Sequence, residues 1–222
     1  MKLTRHIPNF ITTLNLFSGS VAIYFAFQGN FEFAFFAVLL AALFDFMDGF
    51  AARLLKAYSP MGKELDSLAD VLSFGMAPGA IAFSLLEQSA FPGWIRFAGF
   101  IIPVFSALRL AKFNIDERQT ESFLGMPTPA NAIFWVGISY SFSGFFIQNP
   151  WLILLALVVL SGLLVSEIPM LSLKFKGFSW SNNSRKYILL AGCIVILVFL
   201  GLDAFGIIIL WYLANAIPDL LK

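Results

Sequence analysis

Four aspartates lie in or beside apolar segments in the first third of the chain: Asp45, Asp48, Asp66 and Asp70. An ionised carboxylate in such a segment costs several kcal/mol unless a cation neutralises it. The first pair is three residues apart and the second is four apart, so on helices each pair shares one face. Two antiparallel helices that face each other would bring all four carboxylates together, where their mutual repulsion requires cations.

The residue types around the aspartates indicate which ligands the site takes. Carboxylate oxygens favour hard divalent cations such as Mg²⁺, Mn²⁺ or Ca²⁺, and no histidine or cysteine accompanies them to suggest zinc. Arg53 offers a planar, permanently charged group that suits phosphate. Gly49 and Ala52 lack bulk and allow a ligand or a neighbouring helix close to the backbone. Together these residues predict a site for a phosphate-bearing substrate with an apolar tail.

Other interpretations apply to parts of this set. Arg53 could form a purely structural ion pair with Asp48, and Gly49 and Ala52 could serve helix packing alone. A different class of function is a divalent-cation transporter that binds its ion through the four carboxylates. An arginine in the cluster argues against cation transport, and a site at one face of the membrane is unlike the midplane sites of transporters.

The elements that position these residues are membrane helices. The chain has 222 residues, of which 59% are hydrophobic and 12% charged, whereas soluble domains are about a quarter charged. No basic tract interleaved with aromatic residues suggests nucleic-acid binding. We predict an all-α, polytopic membrane helix bundle with a single domain, 1–222, and eight spans. The predicted spans are about 10–28, 31–53, 67–87, 93–111, 128–147, 150–166, 187–201 and 204–219. The last two are expected to form a hairpin, with one long tilted helix as the alternative.

The basic residues predict the orientation of this bundle. With eight spans, 13 of the 14 Lys and Arg residues fall on one side, and Arg96 falls on the other. The positive-inside rule makes the first side cytoplasmic, with both termini and the aspartates inside. We expect a bacterial cell (inner) membrane. The outer loops are too short to hold a domain, so the chemistry is expected in the bundle or on its cytoplasmic face.

The order and spacing of these residues resemble a known family. The pattern Asp45-x-x-Asp48-Gly49-x-x-Ala52-Arg53, eight residues, Gly62-x-x-x-Asp66-x-x-x-Asp70 matches every fixed position of the CDP-alcohol phosphotransferase signature. The resemblance implies a six-helix core, a CDP-linked lipid substrate and displacement of CMP by an alcohol. It also implies two divalent ions, Mg²⁺ or Mn²⁺, and a homodimer.

Roles for individual residues follow from that resemblance. Asp45, Asp48 and Asp66 are expected to be metal ligands, and Asp70 is expected to be both a ligand and the catalytic base. Gly49, Ala52, Arg53 and Gly62 are expected to line the CDP pocket. The segment PNFITTLN, residues 8–15, resembles the first helix of the family and adds Asn9 and Thr12 as nucleotide contacts.

Further segments indicate the acceptor alcohol. ELDSLADVLSFGMAPG (64–79), SALRLAKFN (106–114), FLGMPTPAN (123–131) and LLVSEIPMLSLKFK (163–176) resemble the integral-membrane phosphatidylserine synthase branch of the family. The resemblance covers most of residues 8–176, and the C-terminal helices, about 187–219, are predicted from hydropathy alone. It implies transfer of a phosphatidyl group from CDP-diacylglycerol to L-serine. GMPTPA, 125–130, is expected to line the acceptor side.

Three residues are expected to bind the serine acceptor. Arg109 is predicted to hold the serine carboxylate through paired hydrogen bonds. Lys112 lies one turn away, and the amide oxygen of Asn114 could receive the ammonium group. The alternatives are that Arg109 is only a positive-inside anchor and that the acceptor is glycerol 3-phosphate or an inositol compound.

Overall fold

A computed structural model describes residues 6–116, 123–171 and 179–220, and within these ranges the chain is helical apart from short connections. The helices are α1 (His6–Phe27), α2 (Phe31–Leu54), α3 (Pro60–Asp70), α4 (Ala77–Glu87), α5 (Ile101–Ile115), α6 (Thr128–Gln148), α7 (Pro150–Val165), α8 (Trp180–Leu200) and α9 (Ala204–Leu220). Two short strands, β1 (Phe123–Leu124) and β2 (Pro169–Met170), pair antiparallel beside the ends of α6 and α7. The prediction of an all-α helix bundle is confirmed.

Six helical segments in the described ranges are long and apolar enough to cross a membrane, judged by length and composition. They are α1, α2, residues 60–87, residues 95–115, α6 and the α8–α9 segment, and α7 is a shorter apolar helix. The protein is therefore an integral membrane protein. Six of the basic residues used to predict the orientation lie outside the described residues: Lys2, Arg5, Arg118, Lys174, Lys176 and Lys222.

The α1–α2 hairpin fixes the register of the first aspartate pair. A turn containing Gly29, at φ +69°, reverses the chain between the two helices. Small, fully buried residues lie along the facing sides, Ala22 and Ala26 on α1 and Ala34 and Ala41 on α2, so the helices pack closely. This packing continues to the far end of the hairpin, where α1 lies beside the aspartates of α2.

The third helical segment begins earlier than hydropathy indicates, at Pro60 instead of residue 67. Ser59 caps the helix by accepting a hydrogen bond from the Gly62 amide at 3.0 Å, and Pro60 occupies the first turn, where its missing N–H costs nothing. Gly62 lies inside the first turn of α3. A π-helical stretch, Val71–Met76, then joins α3 to α4 without interruption.

Arg96, the one basic residue that is not predicted on the cytoplasmic side, lies near the end of this segment opposite to the aspartates. Arg96 precedes α5 in a 3₁₀ turn, Ile95–Phe100, and pairs with Glu87 at 2.6 Å. Its guanidinium lies 5.4 Å from the ring centroids of both Phe83 and Phe97. Neutralisation by Glu87 and stacking on two aromatic rings give this cation a stable interfacial position.

The C-terminal hairpin packs against the core instead of forming one long helix. Gly201, at φ +57°, ends α8, and a 3₁₀ turn leads into α9. The indole nitrogen of Trp211 donates to the Leu189 carbonyl at 3.2 Å, which places the two helices side by side and antiparallel. A Cβ at Gly137 of α6 would lie 2.9 Å from the Cα of Gly206, so α9 is in backbone contact with α6.

A candidate metal and nucleotide site

The two antiparallel segments bring the aspartates together as their spacing predicts. One carboxylate oxygen from each of Asp45, Asp48 and Asp66 lies within 4.8 Å of the others. The Asp70 carboxyl is within hydrogen-bonding distance of Asp45. α2 therefore supplies the first pair and α3 supplies the second, on the faces that meet.

The composition of this cluster fits a hard divalent cation. Asp48 and Asp70 are only 6% and 9% exposed, so water does not screen their charges effectively. One oxygen of each, Oδ2 of Asp48 and Oδ1 of Asp70, has no hydrogen-bond partner among the described residues. The Thr12 hydroxyl of α1 lies close to Asp48 and donates to the Pro8 carbonyl at 3.1 Å. A divalent ion would satisfy the remaining oxygens and remove the repulsion between the carboxylates.

A cleft of about 230 Å³ opens directly beside the aspartates. It is lined by residues of α1, the end of α2, the α2–α3 connection and α3. Its lining residues are Pro8, Asn9, Thr12, Asp48, Gly49, Ala52, Ala57, Tyr58, Ser59, Gly62, Lys63 and Asp66. All of the residues predicted to bind the nucleotide, except Arg53, lie on this cleft.

The two signature glycines have different surroundings. A Cβ built on Gly49 would meet no atom within 4 Å, so its missing side chain leaves open space in the cleft instead of serving a helix contact. A Cβ on Gly62 would lie 2.9 Å from Asn9 Oδ1 and 3.0 Å from Ser59 Oγ. Gly62 therefore lets the Asn9 side chain approach α3, and Gly49 leaves room for a ligand.

Arg53 lies at the edge of the site. Its side chain is exposed, and its Nε donates to the Gly49 carbonyl one turn earlier at 3.0 Å. The structural ion pair with Asp48 that was considered as an alternative is not formed. The structure thus places this cation next to the cleft, in solvent, without a carboxylate partner among the described residues.

The three residues predicted to bind the serine acceptor do not lie together in the structure. Arg109 of α5 is buried, at 7% exposed, and its guanidinium is close enough to the Asp70 carboxyl for a charge interaction. Lys112 instead pairs with Glu167 at 3.1 Å, and both side chains are well exposed. Asn114 donates from Nδ2 to Ser67 Oγ at 2.8 Å. Only Arg109 of the three is in direct proximity to the aspartates.

Several cleft residues were not anticipated from the sequence. Tyr58, Ser59 and Lys63 line the cleft because the α2–α3 connection folds over it. Lys63 directly follows the signature residue Gly62, so its position in the sequence could have predicted that it lines the cleft. Tyr212 of α9, whose hydroxyl donates to the Leu171 carbonyl at 3.3 Å, also lies near Arg109. No short-range sequence signal links α9 to the site.

A family model described as CDP-alcohol phosphatidyltransferase matches residues 5–167, which is more than half of the chain. The chain belongs to the CDP-alcohol phosphatidyltransferase family. The match contains α1 to α7 and all four aspartates, and it ends before the α8–α9 hairpin. The resemblance seen in the signature is therefore confirmed at the level of the family.

Individual CDP-alcohol phosphatidyltransferases are similar over most of this chain. A Bacillus subtilis protein named CDP-diacylglycerol–serine O-phosphatidyltransferase is 37% identical over 165 residues, covering 74% of this chain and 89% of that protein. A Helicobacter pylori protein of the same name is 35% identical over 201 residues, covering 88% and 80%. A Mycobacterium leprae protein of that name is 35% identical over 174 residues, and the match spans 74% of this chain but only 57% of that protein.

The open space at Gly49 gives a test of the cleft. In the Gly49→Val variant, folding should be unimpaired because the new Cβ has no atom within 4 Å and valine favours a helix more than glycine does. The side chain fills ligand space, so the apparent KM for a CDP-linked lipid should rise about 10-fold or more, as expected for loss of one well-fitted contact.

The matched control is Gly162→Val in α7, where a Cβ also meets nothing within 4 Å and the residue is exposed. That variant should retain the wild-type KM for the lipid. Equal kinetics for the two variants would mean that the cleft beside Gly49 does not bind this substrate.

Proposed function

We propose that this protein transfers the phosphatidyl group from CDP-diacylglycerol to the hydroxyl of L-serine, with phosphatidylserine and CMP as products. The observation that carries the proposal is a buried guanidinium, Arg109, beside the Asp70 carboxylate of a cluster that borders a cleft of about 230 Å³. The names of the similar bacterial proteins support the same acceptor.

The surroundings of the cleft suit a donor that has a polar head and apolar tails. The cytidine and pyrophosphate would lie between α1, α2 and α3, against Asn9, Gly49 and Gly62. On the exposed side of α2, the rings of Phe46 and Phe50 stack 6.5 Å apart and are 65% and 53% exposed. These rings would contact the acyl chains in the bilayer next to the cleft.

The reaction is an in-line displacement at the lipid-linked phosphorus. Asp70 accepts the proton of the serine hydroxyl as that oxygen forms its bond to phosphorus, and the bond from phosphorus to the CMP oxygen breaks. Two divalent ions, Mg²⁺ or Mn²⁺, held by Asp45, Asp48, Asp66 and Asp70, would supply charge neutralisation for the pyrophosphate and for the departing CMP.

The placement of the cations favours serine over a phosphorylated acceptor. A phosphate-bearing alcohol would need a dense basic pocket. In the described part of the chain, Arg109 is the buried cation next to the aspartates, and Lys112 is already paired with Glu167. A single guanidinium matches the single carboxylate of serine.

The test is an acceptor assay with the purified full-length protein, CDP-diacylglycerol and Mn²⁺ or Mg²⁺. Serine, glycerol 3-phosphate, inositol and choline are supplied separately, and the lipid product is identified. The proposal requires phosphatidylserine and an equal amount of CMP with serine alone. Another phospholipid would assign a different acceptor, and no CMP release with any of the four would favour cation transport.

We also propose that the site lies on the cytoplasmic side of the cell membrane and that the chain acts as a homodimer. In the protein with Cys193 replaced by alanine, Lys56→Cys should resist an impermeant thiol reagent in intact cells, and Asp203→Cys should be labelled. Lys56 lies in the connection between α2 and α3, and Asp203 lies in the turn between α8 and α9. Labelling at position 56 in intact cells would reverse the proposed orientation.

A further inference from the structure

A set of buried polar side chains lies next to the aspartates on the membrane-interior side. Asn15 and Asn131 are fully buried, and neither the amide nitrogen nor the amide oxygen of either has a partner in the described part of the chain. Ser106 Oγ and Arg109 Nε are also buried and have no hydrogen-bond partner among the described residues. An unpaired buried polar group costs about 1–3 kcal/mol, and native proteins contain few of them. We name these four residues the inner polar layer.

The depth of Asn131 follows from the packing of α6 against α2. The ring of Phe35 on α2 stacks on that of Tyr140 on α6, with centroids 4.6 Å apart, and the helices run in opposite directions. Moving nine residues along each helix toward the aspartates covers about 13 Å and arrives at Phe44 and Asn131. Asn131 is therefore level with the first aspartate, Asp45.

The direction of Asn131 follows from its position around α6. Pro127, Ala130 and Ile133 line a cavity with α8 and α9, so that side of the helix faces the C-terminal hairpin. Asn131 is turned about 100° from Ala130. It lies on the same side as Trp135, which is also fully buried, so this side faces the interior of the bundle.

The other members of the layer are placed by contacts with Asp70 and with the π-helical stretch that follows it. The backbone carbonyl of Asn15 accepts a hydrogen bond at 3.1 Å from Ser73, which is one turn beyond Asp70. Ser106 Oγ lies 3.5 Å from where a Cβ on Gly75 would be, in the same π-helical stretch. Arg109 is one turn from Ser106 and close to Asp70. Orphaned donors and acceptors of α1 and α5 thus lie along the helical segment just beyond Asp70, and α6 adds Asn131 at the level of Asp45.

We propose that Asn131 binds the ammonium group of the amino-acid acceptor while Arg109 binds its carboxylate, so that the inner polar layer selects serine among alcohols. This inference rests on the proposed function. Serine carries its hydroxyl, carboxylate and ammonium groups within a few bonds of one another. With the hydroxyl at Asp70 and the carboxylate at Arg109, the ammonium group needs a nearby oxygen acceptor, which the Asn131 amide supplies.

The assignment replaces the sequence-based expectation for Asn114. The Asn114 amide is partly solvent-exposed and already donates to Ser67. A buried amide without a partner discriminates more strongly, because a ligand that lacks the complementary group leaves it unsatisfied.

The decisive variant is Asn131→Leu, which keeps the size of the side chain and removes both polar atoms. We expect the apparent KM for L-serine to rise about 10-fold or more, while the KM for CDP-diacylglycerol stays within roughly twofold. Without substrates, the melting temperature in detergent should be equal or higher, because an unpaired polar group has been removed. A residue with a purely structural role would give a lower melting temperature and equal losses for both substrates, which would overturn the inference.

Acceptor analogues identify which group Asn131 recognises. 3-Hydroxypropionate lacks the ammonium group of serine, and ethanolamine lacks the carboxylate. Asn131→Leu should lower the ratio of kcat/KM for serine to kcat/KM for 3-hydroxypropionate. Arg109→Lys should lower the corresponding ratio of serine to ethanolamine. Ser84→Ala is the control, since Ser84 Oγ is also buried and unpaired but lies in α4, far beyond Asp70. Unchanged preferences in Asn131→Leu would overturn the inference while wild-type phosphatidylserine synthesis still supports the proposed function, and absence of that synthesis would overturn both.

Discussion

The Asp66→Asn variant is expected to lose CMP release by about 10³-fold or more. The amide carries no charge, so the three-carboxylate group formed with Asp45 and Asp48 loses a third of its negative charge at the point where α2 and α3 meet. Stabilisation of transition-state charge by a divalent ion is worth several kcal/mol, and each 1.36 kcal/mol is tenfold in rate. Release of CMP from CDP-diacylglycerol and serine measures the effect.

The melting temperature without metal should not fall together with the activity. This result distinguishes loss of metal binding from loss of the fold. Without metal, Asp66→Asn should melt no lower than the wild type, because one of several clustered anions is gone. Added Mg²⁺ or Mn²⁺ should raise the wild-type melting temperature and leave that of the variant nearly unchanged. Asp203→Asn, in the turn before α9, should behave as wild type in both assays. Near-normal CMP release by Asp66→Asn would remove Asp66 from the metal site.

The Asp70→Asn variant is expected to reduce turnover by about 10²–10⁴-fold, the usual contribution of a general base. Asn cannot accept the proton of the acceptor hydroxyl. Because one carboxylate oxygen from each of Asp45, Asp48 and Asp66 lies within 4.8 Å of the others, these three residues can still hold an ion, and most of the metal-dependent rise in melting temperature should remain. Turnover within a few-fold of wild type would require another base, and complete loss of the metal effect would make Asp70 chiefly a ligand.

Much of the fold was predictable because hydropathy reports what the bilayer requires. The boundaries of α2 and α6 agree with the predicted spans to within one residue. The prediction failed where helices extend into polar sequence. The third segment begins at Pro60 and α8 begins at Trp180, each seven residues before the predicted start. The Ser59 cap starts the third segment in polar sequence, where hydropathy gives no signal.

The site was predictable to the extent that its residues share a helix face. The fixed spacings identified the aspartates and Gly49, since three- and four-residue intervals determine direction on a helix. Lys112 was assigned to the acceptor by the same spacing, but its partner Glu167 is 55 residues away in sequence. The burial of Asn131 depends on how α6 packs against the rest of the bundle, which no local pattern specifies.

The π-helical stretch Val71–Met76 sets the rotational phase between two halves of one membrane segment. On its aspartate side, Asp66 and Asp70 point toward α2. On its far side, Gly79 packs against Pro103 of α5, where a Cβ would lie 2.9 Å from the proline ring. Each π turn closes over five residues instead of four, so these six residues rotate the chain about as far as five α-helical residues would. If all six adopted α-helical pitch, one half would rotate by about 100° relative to the other. The segment would keep its hydrophobicity and its length, yet the carboxylates and the packing face could no longer both be aligned. The π-helical pitch of this short stretch therefore constrains the chain as strictly as the identity of the aspartates does.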